Sequence, residues 1–393
     1  MWSRRYSIFR KSILRRMLMA SPITIVIIVR LVSITTAFAQ DIVTDCDKYA
    51  ASQFDPQRKA AGVDFEKMHV PFAVPACEDA VRRFPNSMRQ TYQLGRAYEK
   101  ANQLAAAVEQ YRKAADQNYV AAQLTLGELY ARGKGVAKDD QQYIFWVRKA
   151  ADQGYAVAEE ALGYAYLDGR GVSKDGQEAA IWFRKAADQG NILAQNKLGF
   201  MYQNGDGVPK DDQQAAAWFR KAANQGYAPA QDRLGFIYLN GDGVPKDDQQ
   251  AVAWFRKAAD QGYAPAQHRL GFIYQNGDRV PKDYQLAAVW YRKAADQGYL
   301  FAQYSLGAMY ANGQGVPKDD QQAVAWYRKA AEHGLADARY SVGLAYQEGR
   351  GVPQDITQAI GWFRKAAEQG HKEAKTKLEE LESTQNAEGK NLR

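Results

Sequence analysis

Cysteine is nearly missing: the 393 residues hold two, Cys46 and Cys77. With only four histidines (His69, His268, His333 and His371), no paired Cys/His or H-E-x-x-H pattern is available to hold a metal. There is no G-x-S-x-G elbow, phosphate loop or dinucleotide fingerprint, and the acidic calcium-loop pattern does not occur. No catalytic constellation can be named, so the reading is non-enzymatic and implies no cofactor and no metal. No stretch of about 20 apolar residues offers a full membrane span. Acid is missing from one region in particular: residues 1–39 carry seven basic residues and neither Asp nor Glu. Of the net charge of +8, those seven leave about +1 for everything else, so the basic balance belongs to a leader and nucleic acid is not an expected partner.

That leader reads as an export signal. A basic stretch ends at Arg16, apolar residues run from Met17 to Val29, and Ala37-Phe38-Ala39 fits the small-x-small pattern of a signal peptidase site. Residues 1–39 are therefore expected to direct the chain to the bacterial periplasm or out of the cell, with Gln40 as the mature start. For a eukaryotic source the alternatives are the endoplasmic reticulum lumen or an organelle. Membrane contact is expected only through this signal or a membrane-bound partner. Residues 40–86 form an N-terminal helical segment, with a helix from Ala76 to Phe84 stopped by Pro85. In an oxidising compartment Cys46 and Cys77 would close a disulfide worth about 3–4 kcal/mol in loop entropy; the other reading is two buried thiols.

What the sequence has in plenty is repetition. Trp146, Trp182, Trp218, Trp254, Trp290, Trp326 and Trp362 are spaced by 36 residues each time. Seven units of that length begin at Ala122, Ala158, Ala194, Ala230, Ala266, Ala302 and Ala338, and a period in this range signals stacked supersecondary units. Within the unit from Ala230, Leu234, Gly235 and Tyr238 continue one apolar helical stripe. The turn Asn240-Gly241-Asp242-Gly243-Val244-Pro245 follows. A second helix is predicted from the N-cap Asp247, with Gln250 in a capping-box position, through Trp254 and Phe255 to a stop at Gly262. Glycine fills 27 of the 28 equivalent slots, Arg279 being the exception. Residues 87–118 repeat the stripe with a shorter connection and with Asn118 at the helix stop.

The block A-x-x-x-L-G-x-x-Y-x-x-G-x-G-V-x-x-D-x-x-x-A-x-x-W-[FY]-x-x-A-A-x-x-G resembles the Sel-1-like repeat, a relative of the tetratricopeptide repeat. The resemblance implies an all-α fold, a right-handed α-solenoid of stacked helical hairpins, whose members serve as protein-interaction adaptors in endoplasmic-reticulum quality control and in the bacterial envelope. On this reading 87–118 is a tetratricopeptide-like hairpin and 122–373 the seven repeats. Residues 374–384 are a capping helix, and 385–393 a flexible tail. The cysteine-rich bacterial branch of the family, some of whose members are described as acting on β-lactams, carries paired cysteines inside its repeats. No unit here does, so that activity does not transfer. An envelope hydrolase or glycan-binding protein is the alternative function.

Residues that recur in every unit, the tryptophans and the tyrosines at the ends of the first helices, read as core. Binding is expected where units differ. Counting each unit's first Ala as position 0, positions 2, 6 and 9 share one face of the first helix, away from the stripe at 0, 4 and 8, with position 3 flanking it. By resemblance to tetratricopeptide arrays this face lines a concave groove. Position 6 then supplies a ladder of rings, Tyr164, Phe200, Phe236 and Phe272. Position 3 supplies a basic edge, Lys197, Arg233 and Arg269, favouring acidic residues, and position 2 supplies His268, Tyr304 and Tyr340. The expected partner is a protein or peptide and the chain itself a monomer. Two further readings concern single motifs. Asn204, Asn240, Asn276 and Asn312 are either a clamp on a bound peptide or turn residues tolerating left-handed geometry, and the recurring Arg-Lys pair (Arg256, Lys257) is a solvated helix face.

Overall fold

The computed structural model describes residues 43–277 and 279–391, with side chains through residue 383. The expected leader, 1–39, lies outside the described residues, as do 392 and 393. Among the described residues there are nineteen helices and no strand. The chain divides into two compact units, one ending at Ala194 and the other starting at Gln195.

The N-terminal part of the first unit is not periodic. Helix α1 (Asp45–Ala50) opens with a capping box: the Thr44 hydroxyl accepts from the Asp47 N–H, and the Asp47 carboxylate accepts from the Thr44 N–H at 2.8 Å. Helix α2 (Val70–Arg83) begins well before the expected Ala76, because Pro71 sits in its first turn, where a missing N–H leaves nothing unsatisfied. Cys46 and Cys77, both fully buried, are joined by a disulfide that ties α1 to α2. Next come α3 (Met88–Lys100) and α4 (Leu104–Asp116), a hairpin whose turns use Asn102 and Asn118 at positive φ where the repeats use glycine. The repeats in this unit supply α5 (Val120–Arg132), α6 (Asp140–Asp152), α7 (Ala156–Asp168) and α8 (Gly176–Asp188).

The chain continues through α9 (Ile192–Asn204), α10 (Asp212–Asn224), α11 (Ala228–Asn240), α12 (Asp248–Asp260) and α13 (Ala264–Asn276). After these stand α14 (Tyr284–Asp296), α15 (Leu300–Asn312), α16 (Asp320–Glu332), α17 (Ala336–Glu348), α18 (Ile356–Ala367) and α19 (Lys372–Asn391). In the α11–α12 hairpin the first helix stops at Gly241, in the left-handed region at φ 82°. The second starts at Asp247, whose carboxylate accepts the Gln250 N–H at 2.9 Å. Two glycines fix how closely elements approach. A Cβ on Gly235 would stand 2.5 Å from the Phe255 ring, so that ring lies flat against the first helix only because position 5 has no side chain. A Cβ on Gly243 would collide with the Asp212 carbonyl, so the turn rests on the backbone of the preceding hairpin's second helix.

The tryptophans from Trp146 to Trp326 are buried, and Trp362 in the last hairpin is half-buried. One continuous core cluster from Ala251 to Trp326 includes Phe255, Leu270, Trp290, Tyr291 and Leu306. Beyond it α19 covers Phe363 and Ala366 with Ala374, Leu378 and Leu381. This helix runs to Asn391, which corrects the reading of 374–384 as the cap with a loose tail after it. Its sequence meets no Pro, and no Gly before Gly389, while pairs such as Lys377–Glu380 support it.

The Arg-Lys pairs are not merely a solvated face, which is a second correction. Arg256 donates to the hydroxyl of Tyr274, Arg292 to Tyr310 and Arg328 to Tyr346, each reaching the first helix of the next hairpin. The following lysine lies over the tryptophan one turn earlier on its own helix, Lys257 Nζ at 3.8 Å from the Trp254 ring centroid and Lys329 at 3.8 Å from that of Trp326. A second polar seam runs beside it. Gln261 donates to the Gln231 side-chain oxygen at 2.7 Å, and Gln231 in turn donates to the Ala223 carbonyl at 3.0 Å, in the preceding hairpin. Gln297, Gln267 and Ala259 repeat this relay at 2.7 and 3.0 Å. Buried amides and helix-terminal carbonyls thereby satisfy one another.

Candidate functional site

The helical period places position 0, 4 and 8 side chains in the hairpin interior and leaves positions 2, 3 and 6 on the opposite face of the first helix. Underneath that face, in the six units from Ala158 onward, lies the ring at position 25 of the same unit, pressed against the glycine at position 5; in the unit from Ala122, Val147 takes its place. A side chain from position 6 or position 2 then covers this ring.

In three hairpins the covering residue is at position 6. Tyr164 meets Phe183 edge-to-face at 4.9 Å in the first unit, and in the second Phe200 meets Phe219 at 4.9 Å and Phe236 meets Phe255 at 5.5 Å. In the next three it is at position 2: His268 covers Tyr291 at 5.3 Å, Tyr304 covers Tyr327 at 5.4 Å and Tyr340 covers Phe363 at 5.6 Å. Tyr340 is also stacked on His371 at 4.6 Å. The changeover falls between the units from Ala230 and Ala266, and it turns Phe272 loose.

The expected basic edge is largely spent inside the chain. The Arg269 guanidinium lies 3.7 Å from the Phe236 ring centroid and is ion-paired with Asp232 at 3.1 Å, in the preceding hairpin. Arg233 lies over Phe200 at 5.3 Å and donates to the Gln203 side chain. Lys197 is half-buried on the same face. Burial holds the Asp232 carboxyl above its ordinary value despite Arg269, as expected for a pair taken out of water. Burial, and then the nearby Arg269 charge, push His268 down to about 4, so its imidazole is neutral at pH 7. Its Nε2 is 3.3 Å from the Ser305 hydroxyl.

The ladder therefore differs from rung to rung. Phe200 and Phe236 are half-buried under arginines, whereas Phe272 is 49% exposed, and on the first helix of the next hairpin Phe301 is 51% exposed. Phe301 packs on Tyr299 at 5.7 Å and on His268 at 6.2 Å. Sequence reasoning passed over Phe301, which stands where Pro229 and Pro265 stand in the two units before; that break in the column was the available signal. In the asparagine column, Asn204 and Asn240 each donate to the carboxylate two residues later, Asp206 and Asp242, at 3.2 Å. They end their helices with ordinary backbone geometry, and the left-handed residue is the glycine that follows, which corrects the turn reading. Among the described residues no group of His, Cys, Asp and Glu is arranged to hold a metal ion.

The sequence model of the Sel1 repeat matches seven times in succession, at residues 120–155, 156–191, 192–227, 228–263, 264–299, 300–335 and 336–371. The chain belongs to the Sel1 repeat family. Its repeats so defined begin two residues before the alanines used above for counting. A solved Sel1 repeat protein from Oxalobacter formigenes is similar at 34% identity, with 77% of this chain and 90% of that one covered and a TM-score of 0.66. A protective antigen of uropathogenic Escherichia coli strains, displaying an SLR fold, is 33% identical over 84% of this chain and 77% of that one, with a TM-score of 0.60. No curated protein matches the chain. Sel1 repeat proteins are typically protein-interaction scaffolds that bind protein partners, and the stacked hairpins described above are their fold.

Proposed function

We propose that this Sel1 repeat protein is a non-catalytic scaffold of the cell envelope that binds a partner protein or peptide on the first-helix face of its second unit. One observation carries the reading. The positions that build the hairpins recur from unit to unit, while the first-helix face varies and leaves Phe272 and Phe301 about half in solvent. Phe301 is not isolated, since it packs on Tyr299 and His268, and exposed apolar side chains gathered on one face are what a contact surface presents. With Arg233 and Arg269 engaged internally, recognition here rests on aromatic and apolar contact and not on a free basic edge. The export-type leader is the ground for placing the protein in the envelope, with membrane contact supplied by the partner.

The test is site-specific photo-crosslinking in intact cells. A photoreactive residue at Phe301 should give a discrete adduct with an envelope protein, and one at Ala253, exposed on a second helix, should give none. Equal labelling at both positions, or none at Phe301, would count against the assignment.

A further inference from the structure

Phe272 occupies an unusual place in a regular series. In the two preceding hairpins the position-6 ring has two partners: a position-25 ring below and an arginine from position 3 of the next hairpin above. Phe200 has Phe219 and Arg233; Phe236 has Phe255 and Arg269. Phe272 has neither. His268 has taken its place over Tyr291, and Ser305 stands where the next arginine would be. Among the described residues no other ring and no cation contacts Phe272, which leaves its face open to solvent.

The surroundings suit a cation from outside. Helix α15, which carries Phe301 and Ser305, has no charged residue, and Arg269 is neutralised by Asp232, so no unpaired positive group stands on these two helices to repel one. Tyr299 and Phe301 add further electron-rich rings beside the neutral His268. We propose that this patch receives an arginine side chain of the partner protein, which lies over Phe272 as Arg233 lies over Phe200 and Arg269 over Phe236. The repeat thus shows, in its own two preceding rungs, the contact that a partner completes at the third. Arginine fits better than lysine because a planar guanidinium stacks on a ring while an ammonium stays more strongly hydrated. The inference rests on the first-helix face being the binding surface, and it names what that surface recognises.

A phage library of random dodecapeptides, panned on the full chain, provides the probe. Selected peptides should share an arginine at one position. Replacing it by leucine in a synthetic copy should weaken binding about tenfold, and replacing it by lysine less. Phe272→Ala should cause a similar loss. Ser305→Arg should do so as well, by restoring the internal cover, with helicity and melting temperature at least those of the parent. Peptides that lack a shared arginine, or that bind Phe272→Ala as tightly as the parent, would overturn the inference. If such peptides still lose binding on Phe301→Ala, the face remains the binding surface and only its arginine preference is wrong. Peptides indifferent to both substitutions, or no selected peptides at all, would bring down the face reading and this inference with it.

Discussion

Between Val43 and Asp116 the fold is held by bonds that occur once; in the repeats it is held by bonds that return every 36 residues. In the first region Asp47 is fully buried and gathers donors from across the sequence: Gln93 at 2.9 Å, Gln90 at 3.0 Å, the Thr44 hydroxyl at 2.8 Å and Arg89 Nη2 at 3.4 Å. Arg96 donates to the Ala50 and Val63 carbonyls at 2.7 and 3.1 Å, and the Tyr119 hydroxyl donates to Asp55 at 2.5 Å. Together with the disulfide these ties fix an irregular segment around a small buried cluster that includes Met68, Ala73, Ala80, Leu94 and Ala97. The repeats need no such device, because each hairpin hides its apolar side against copies of itself. The difference teaches where a substitution should stay local and where it should spread.

The largest effect is expected at the N-terminal hub. Burial alone would raise the Asp47 carboxyl, but the hydrogen bonds from Thr44, Gln93 and Gln90 outweigh it and hold it below its ordinary value. Asp47→Ala leaves Arg89 buried without its carboxylate and should cost about 3–5 kcal/mol. Hydrogen exchange should quicken between residues 43 and 100 and stay unchanged between 228 and 335. An even loss through both regions would erase the distinction drawn here.

A smaller effect sharpens the comparison from the repeat side. The folded His268 takes up a proton only near pH 4, against 6.5 for a free imidazole, so between those values the unfolded chain binds more protons than the folded one. Stability of the hairpin from Ala266 should therefore fall as pH drops from 6.5 toward 4, and His268→Phe should remove that part of the dependence. Local exchange rates across α13 and α15 at several pH values measure it. If parent and variant respond alike, the imidazole is not buried as described. The smallest effect concerns the seams. Tyr274→Phe removes the acceptor of Arg256, whose exposed guanidinium can turn to water, and should cost about 0.5–1.5 kcal/mol in chemical denaturation. A loss above about 3 kcal/mol would mean that the clasp, and not the apolar interior, holds neighbouring hairpins together.

How much of this could be read in advance follows from the same contrast. Trp254, Gly235, Gly241 and Asp247 were legible because a requirement imposed seven times prints a column in the sequence. The glutamine relay and the arginine–tyrosine clasp print columns too, yet polar residues that recur look like a solvated surface until their partners, in other helices, are known. Asp47, Arg89, Arg96 and Asp55 could not be found, since a bond made once leaves no period and joins residues more than 40 apart in three of its four contacts to Asp47. At the candidate site the rings were legible but their cover was not. Whether Phe236 or Phe272 is free depends on position 3 of the following unit, Arg269 in one case and Ser305 in the other.

The central claim is that the recurring interior makes the structure and the variable first-helix face makes the contact. Two variants separate these roles: Phe272→Ala with Phe301→Ala on the face, and Phe255→Ala in the interior. Each is compared with the parent for thermal melting and for capture of whichever protein is crosslinked at Phe301. The account predicts that the face variant melts with the parent and captures nothing, while the interior variant melts early by about 3–5 kcal/mol of lost stability. A face variant that captures as the parent does, or that melts as early as the interior one, would contradict it.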